Sequence, residues 1–430
     1  MSVQTYVHGD SAVKIARSIE AAIASGRVVA GDKLPAVRSV AEALAVSPAT
    51  VAAAYRMLQQ RGVVAAEGRR GTRIRPAAPV AAPAPPPLPA HVRDLASGNP
   101  DLAMLPALFE QRLYRDDLND PRLLELARKQ FEADGVPGKR IAIVSGALDG
   151  LERVLREVTR AGDRVAIEDP GFTGTIDLLA ALSLVPVPVS VDDEGPLASS
   201  LRNALRSARA LIVTPRAQNP TGAAITPRRA RELRAVLKDF PDVAVIEDDH
   251  AGPIAGAPYV TLVTGRERWA VARSVSKSLG PDLRVALLAG DPETINRVEG
   301  HQALGIRWVS HVLQRLVIDI LTNRAVTRQL KLAEKTYTER RNALIAELKA
   351  RGIESHGASG LNVWIPLREE SAVVQALMAR GWAVNAGERY RIASGPAIRV
   401  TTAALTPADA KRFAADLAAI VGSTPSRAGV

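Results

Sequence analysis

One lysine stands where an amine can do covalent chemistry. Ser274-Val-Ser276-Lys277-Ser-Leu-Gly-Pro-Asp-Leu-Arg284 lies between two apolar runs, Val271–Val275 and Val285–Ala289, which sets Lys277 on a turn between core segments. A primary amine so placed suits a Schiff base with an aldehyde, and Ser274, Ser276 and Arg284 are near enough in sequence to bind a phosphate. A lysine beside serines is also what an ordinary solvated turn offers, so the companions decide. Asp248, in Val245-Ile-Glu-Asp-Asp-His250, ends an apolar strand and is a carboxylate for a ring nitrogen. Ser145-Gly146-Ala147-Leu148 leads into a helix, whose free amides and positive dipole end suit a phosphate. Glu168-Asp-Pro-Gly-Phe172 would lay the Phe172 ring against a flat ligand, and Gln218-Asn219-Pro-Thr-Gly222 would turn the Asn219 amide toward a ring hydroxyl. Taken singly, Pro-Gly and Asn-Pro are common turns and Phe172 is a candidate core residue. Taken together they meet the needs of an aldehyde cofactor: an amine, a carboxylate at the pyridine nitrogen, and donors for a phosphate.

The elements that must position these groups are short apolar runs alternating with helical segments: Ile141–Val144, Val165–Ile167, Leu211–Val213, Val243–Ile246, Val271–Val275 and Val285–Ala289. That alternation predicts an α/β domain with a largely parallel sheet, whose ligands gather beyond the carboxyl ends of the strands. From about Trp308 the pattern turns helix-rich, and a smaller α+β unit with a strand near Arg399 closes the chain. No solenoid-type repeat is found.

A different module precedes this. Val13, Ala16, Ile19 and Ile23 recur at helical spacing up to Gly26; a second short helix covers Val37 to Leu44; Ser47 caps a third, with Pro48 in its first turn and Ala49 to Gln60 continuing it. Extended segments Val63–Ala66 and Thr72–Ile74 flank the turn Gly68-Arg69-Arg70-Gly71. Helix, helix, turn, helix and basic hairpin is the order of a winged helix-turn-helix. Ser47, Pro48 and Thr50 then open a recognition helix, and Arg38 opens the helix before it. Arg69, Arg70 and Arg73 in the wing suit phosphates or a minor groove.

Bulk properties agree. The 430 residues, 47 % hydrophobic, suffice for two or three domains. The charge of +11 is uneven: Met1 to Arg75 hold 11 Lys and Arg against 5 Asp and Glu, which suggests a polyanion partner. Cysteine is absent, which excludes disulfides, cysteine zinc sites and thiol nucleophiles, and no metal is expected. The N-terminus carries no basic segment followed by an apolar run, and no stretch approaches the roughly 20 apolar residues of a membrane span. The expectation is a cytoplasmic protein without a membrane part. Pro76 to Pro89 is rich in proline and alanine and favours an extended spacer. The domains expected are 1–75 (DNA-binding), 76–92 (linker) and 93–430 (effector domain, with a small subdomain from about 310).

Two resemblances follow. Gly31-Asp-Lys-Leu-Pro-Ala-Val-Arg38, Leu44-Ala-Val-Ser-Pro-Ala-Thr-Val51, Ala54-Tyr55, Leu58 and Gly71-Thr72 resemble the GntR-type winged helix, which adds Tyr55 and Thr72 to the candidate DNA-binding residues. That family usually has Arg where this chain has Pro48. From about Asp94 to Leu417 the chain resembles the fold-type I, aspartate-aminotransferase-like superfamily, and as a whole it resembles the MocR subfamily of regulators. The resemblance implies pyridoxal 5'-phosphate (PLP) with Lys277 as the Schiff-base lysine, Asp248 at the pyridine nitrogen, Asn219 at the ring oxygen, Arg284 and Ser274 at the phosphate, and Arg399 at the carboxylate of an effector. His250 stands where most relatives have Tyr. It further implies a homodimer on a double-stranded DNA operator, sensing PLP itself or an amino compound that attacks the Lys277 Schiff base. The domain is then a sensor more than an enzyme; a working aminotransferase with an appended DNA-binding head is the alternative.

Overall fold

The computed structural model describes residues 6–24, 27–29, 31–60, 63–66, 71–74, 117–138 and 140–423. The expected linker 76–92 and the wing residues Arg69 and Arg70 lie outside the described residues. The chain divides into two compact units, Met1–Pro83 and Ala84–Val430.

In the first unit, α1 (Ala12–Ala24), α2 (Val37–Leu44) and α3 (Pro48–Gln60) are followed by β1 (Val64–Ala66) and β2 (Thr72–Ile74), which pair antiparallel with Val64 opposite Ile74. The core gathers Ile15, Ala16 and Ile19 from α1, Val40 from α2, Val51, Ala54 and Leu58 from α3, and Val64 and Ile74 from the hairpin. The α1 stripe differs from the expected one. Ile15 is fully buried while Val13 is 44 % exposed, because positions 15, 16, 19 and 22 complete a helical face that an alternative start at 13 also satisfies. Ser47 caps α3 by accepting from the Thr50 amide at 3.1 Å, which leaves Pro48 in the first turn, where a missing N–H costs nothing.

The second unit begins with α4 (Pro121–Ala133) and builds one mixed sheet from β3 (Ile141–Val144), β4 (Arg164–Asp169), β5 (Val185–Asp192), β6 (Gly195–Pro196), β7 (Ala210–Val213), β8 (Ala244–Asp249), β9 (Trp269–Ser274) and β10 (Ala286–Gly290). The order is β3-β10-β9-β8-β7-β4-β5-β6. Pairing is parallel from β9 through β8, β7 and β4 to β5, and antiparallel on both sides of β10. Therefore β3, β4, β7, β8 and β9 all end at one edge, where β10 begins. Helices cover both faces: α4, α7 (Ala198–Leu205) and α8 (Pro227–Lys238) on one, α5 (Ala147–Val158), α6 (Thr173–Ala181) and α9 (Pro292–Leu304) on the other. The buried strands read as continuous apolar runs because both faces are covered.

The strand β5 has no counterpart among the expected segments. Its sequence Val-Pro-Val-Pro-Val breaks the pattern, since proline donates nothing to a ladder. It pairs with β4 on one side and only the two-residue β6 on the other, so Pro186 and Pro188 sit where few donors are needed.

After α10 (His311–Thr322) and α11 (Arg324–Lys349), the chain forms a second sheet, β11-β13-β12, from β11 (Asn362–Pro366), β12 (Asn385–Ala386) and β13 (Ala397–Thr401), with α12 (Ser371–Ala379) and α13 (Pro407–Ser423). Its core contains Leu344, Leu348, Val363, Ile398, Phe413 and Leu417. Val317 and Ile318 of α10 still pack in the core of the large sheet, so this smaller core begins within α11, later than the expected residue 310. Helical composition alone does not say which core a helix joins. Among the described residues no helix is long and apolar enough to cross a membrane, and no group of three or more acidic or histidine side chains is arranged to hold a metal.

Candidate cofactor and DNA-binding sites

The carboxyl-end edge of the large sheet collects the residues expected to do chemistry. The run Glu247-Asp248-Asp249 at the end of β8 is buried throughout, and each carboxylate meets a different fate. Alternation along the strand sends Glu247 and Asp249 to one face and Asp248 to the other. Glu247 accepts from the Tyr259 hydroxyl, from Thr261 and from the Leu262 amide, and burial pushes it up to about 7. Asp249 accepts two bonds from Arg216 at 2.9 Å and one from Arg273 at 2.7 Å; Arg273 also reaches Asp134 at 2.6 Å. These guanidinium groups hold Asp249 below the ordinary carboxylate range despite its burial. Asp248 has neither arrangement. Its Oδ1 is buried without a partner; burial raises the carboxyl to about 6, with His250 pulling down and Asp249 pushing up. A buried carboxylate oxygen left unsatisfied costs about 1–3 kcal/mol or more, so Asp248 is short of a donor that no described residue supplies.

Around Asp248 the neighbouring strand ends supply the rest. Beyond β9, buried Ser274 accepts from the Ser276 amide at 3.1 Å, and the turn carries Lys277, whose side chain is exposed. Arg284, just before β10, has a left-handed φ of 47°. Beyond β3, Gly146 caps α5 with φ 105°, and no side chain caps that helix, leaving its first amides open. A Cβ on Gly146 would lie 3.1 Å from Arg284 Nη2, so the bare glycine lets guanidinium and amides approach one point. Such an arrangement suits an anion. Ala147 and Leu148 form the first turn of α5. Phe172 precedes α6, and Gly174 makes room for its ring: a Cβ there would meet the ring at 2.6 Å and Leu148 at 3.2 Å.

On the far side of Asp248 lies the loop after β7. His250 Nε2 is 2.8 Å from the Ala217 carbonyl, and Ala217, with φ 54°, donates its amide to Ser359 Oγ at 2.7 Å. Arg399, on β13, reaches Asn219 Oδ1 at 3.2 Å, and its guanidinium lies 5.1 Å from the centre of the Tyr390 ring. Residues more than 140 positions apart thus close one site. The small unit is held against it by Asp169, which accepts from the amides of Ile392, Ala393 and Ser394 at 2.8–2.9 Å.

Tyr390, Ser359, Ala217 and the carboxyl of Glu168 had no visible signal in the sequence. Glu168 accepts from the Thr214 amide at 3.2 Å through one oxygen; the other is buried and unpartnered, and burial drives the group to about 8. Arg273 did leave a signal, as a single charge inside an otherwise apolar strand that had to find buried partners.

In the first unit, Arg38, Ser47 and Pro48 are exposed, and Thr50 and Thr72 are half-buried. The Ser47 and Thr50 hydroxyls are 2.8 Å apart and bond each other. Tyr55 is placed differently from a DNA contact: it is 7 % exposed, with its hydroxyl donating to the Pro35 carbonyl at 2.8 Å. Helical spacing directs it into the core with Val51 and Leu58. Arg73 donates to the Gly31 carbonyl at 2.7 Å, which ties the hairpin to the segment before α2.

Residues 11–74 match the model of bacterial regulatory proteins of the gntR family, and residues 122–417 match aminotransferase class I and II. The vitamin B6 salvage pathway transcriptional repressor PtsJ of Salmonella typhimurium is 38 % identical over 426 residues, covering 96 % of this chain and 98 % of that protein. The pyridoxine biosynthesis transcriptional regulator PdxR of Corynebacterium glutamicum is 25 % identical over 408 residues, 88 % of each. Among solved structures, the kynurenine aminotransferase of Pyrococcus horikoshii superposes with a TM-score of 0.66 at 20 % identity, covering 71 % of this chain and 81 % of that one, which speaks for the fold of the larger unit.

Proposed function

This chain belongs to the family in which a GntR-type winged helix-turn-helix is joined to an aminotransferase class I and II domain, and on that premise we propose a transcription regulator that binds PLP at Lys277 and reports its binding to DNA. The domains run 1–75, 76–92 and 93–430. The protein works in the cytoplasm as a homodimer on double-stranded operator DNA.

One observation carries the cofactor assignment: the unpartnered, buried Oδ1 of Asp248 at the centre of the strand ends. The residues around it fit PLP. Asp248 would take the pyridine N–H, the amides at Gly146, Ala147 and Leu148 with Ser274, Ser276 and Arg284 would take the phosphate, Phe172 would lie against the ring, and Lys277 would supply the amine. The bound group would supply an aldehyde carbon activated by a protonated ring. Arg399 is placed for a carboxylate, since a guanidinium pairs with two oxygens at once. Arg38, Ser47, Pro48 and Thr50 face the DNA, with Thr72, Arg69 and Arg70 at the wing.

The near full-length similarity to a vitamin B6 salvage repressor favours PLP itself as the signal over a separate amino compound. Two features support the dimer. Lys277 and Arg284 are exposed in the single chain, and apolar side chains from one stretch lie open: Leu304 63 %, Ile306 52 %, Val312 47 %, Leu316 43 % and Leu332 64 %. A second reading, a working aminotransferase, draws on Arg399 reaching Asn219.

Absorbance of the purified protein with added PLP tests the assignment. A visible band present in the wild type and lost in Lys277→Ala is expected; a band that survives the substitution, or none in either protein, refutes it. Repeated release of a keto acid from an amino donor would favour the enzyme reading.

A further inference from the structure

His250 stands just beyond β8, two residues after Asp248, with its Nε2 2.8 Å from the Ala217 carbonyl. The orientation of a pyridoxal ring in this site follows from the sheet order and rests on the cofactor reading above. Phosphate-holding residues come from β3, β10 and β9, Asp248 from β8, and Asn219 from the loop after β7. In pyridoxal the hydroxyl lies on the side of the aldehyde opposite the phosphate arm. With Lys277 at the aldehyde and Asp248 at the nitrogen, the hydroxyl faces the β7 side, where Asn219 and His250 stand.

Two hydrogen bonds fix what these side chains offer there. Arg399 is donor only, so the atom it meets on Asn219 is the oxygen, and the Asn219 NH2 remains to donate. The Ala217 carbonyl is acceptor only, so Nε2 of His250 carries a proton. In neutral His250 the proton is then spent on Ala217 and Nδ1 keeps a lone pair. A tyrosine, which the resemblance leads one to expect here, would bring a hydroxyl that can donate.

We propose that His250 and Asn219 form a matched acceptor and donor for the protonated ring hydroxyl, and that when His250 takes a proton from solvent the hydroxyl proton would pass to the Schiff-base nitrogen at Lys277, leaving His250 and Asn219 as two donors to the oxyanion. A hydroxyl donates one bond and accepts another, as neutral His250 with Asn219 requires; an oxyanion accepts both. The charged group that interacts with His250 is Asp248, on the same strand end. Asp249, with Arg216 and Arg273, faces the opposite side of the sheet.

The test is a pH titration of the absorbance of PLP-loaded protein. The wild type should shift from the visible oxyanion band toward the near-ultraviolet hydroxyl band as pH rises, with the ratio of the two changing at least about threefold over the titration. His250→Tyr should hold the visible band throughout, and His250→Phe should lose the histidine-linked transition. A His250→Tyr protein that titrates like the wild type, or a wild type whose ratio is flat, overturns the proposal. Nitrogen-15 NMR of histidine-labelled, cofactor-free protein, assigned by loss of a signal in His250→Phe, reads the tautomer independently. A proton on Nδ1 in place of Nε2 also overturns it. Absence of any Lys277-dependent band in the wild type sinks the cofactor reading instead, and the NMR result then still decides the tautomer.

Discussion

At the scale of single residues, the acids at the strand ends show how burial sorts like groups into unlike roles. Asp249 is ionised because Arg216 and Arg273 bond it, whereas Glu168 has one amide and an unpartnered oxygen and is driven to about 8. Such a raised carboxyl binds a proton in the folded chain that the unfolded chain releases. Its contribution is therefore fully present below the ordinary value of 4.5 and is lost as pH rises through about 8. Glu168→Gln, which keeps the shape and removes the titration, should flatten the fall of the unfolding midpoint between pH 5 and 8 in cofactor-free protein; an unchanged slope would show that Glu168 is not the group responsible. The residues proposed for the cofactor, Lys277, Asp248, Asn219 and Arg284, were singled out in the sequence because each lies in a polar segment beside an apolar run. Tyr390 and Ser359 were not, since they reach the site across the junction of the large and small sheets, a contact without local pattern.

At the scale of elements, the strands of the large sheet were legible as apolar runs and their ends were not, because polar terminal residues such as Glu247 to Asp249 still pair in the ladder. The prolines hid β5, and a choice between two helical faces misplaced Val13. Where an element end makes a site, a single methyl group should matter. Gly146→Ala places a Cβ against Arg284 at φ 105°, and should raise the Kd for PLP at least about tenfold, measured by equilibrium dialysis, with a normal unfolding midpoint for the head. Wild-type affinity would mean that α5 does not hold the phosphate. At the other helix start, Ser47→Ala removes the cap of α3 and should cost about 1 kcal/mol of the head's stability in denaturant unfolding, because the Thr50 amide loses its acceptor. No loss would place the capping elsewhere.

At the scale of the whole molecule, the two units have separate cores and separate chemistry, and regulation requires that one alter the DNA affinity of the other. A ligand shifts such an equilibrium only by its differential affinity for the two states. The proposed pairing of copies can be tested on the open apolar stretch: Leu304→Glu with Leu332→Glu should lower the sedimentation coefficient to that of a monomer and weaken operator binding, while an intact dimer would move the interface off this stretch. Neither property was legible from periodicity, which reports what a chain buries within itself and not what a second copy covers. The central claim is that PLP at Lys277 is read out at the DNA. Its most direct test is titration of operator DNA with the wild type and Lys277→Ala, each with and without PLP. PLP is expected to change operator affinity or footprint in the wild type and neither in Lys277→Ala; identical operator binding by the PLP-free and PLP-loaded wild type would contradict the claim.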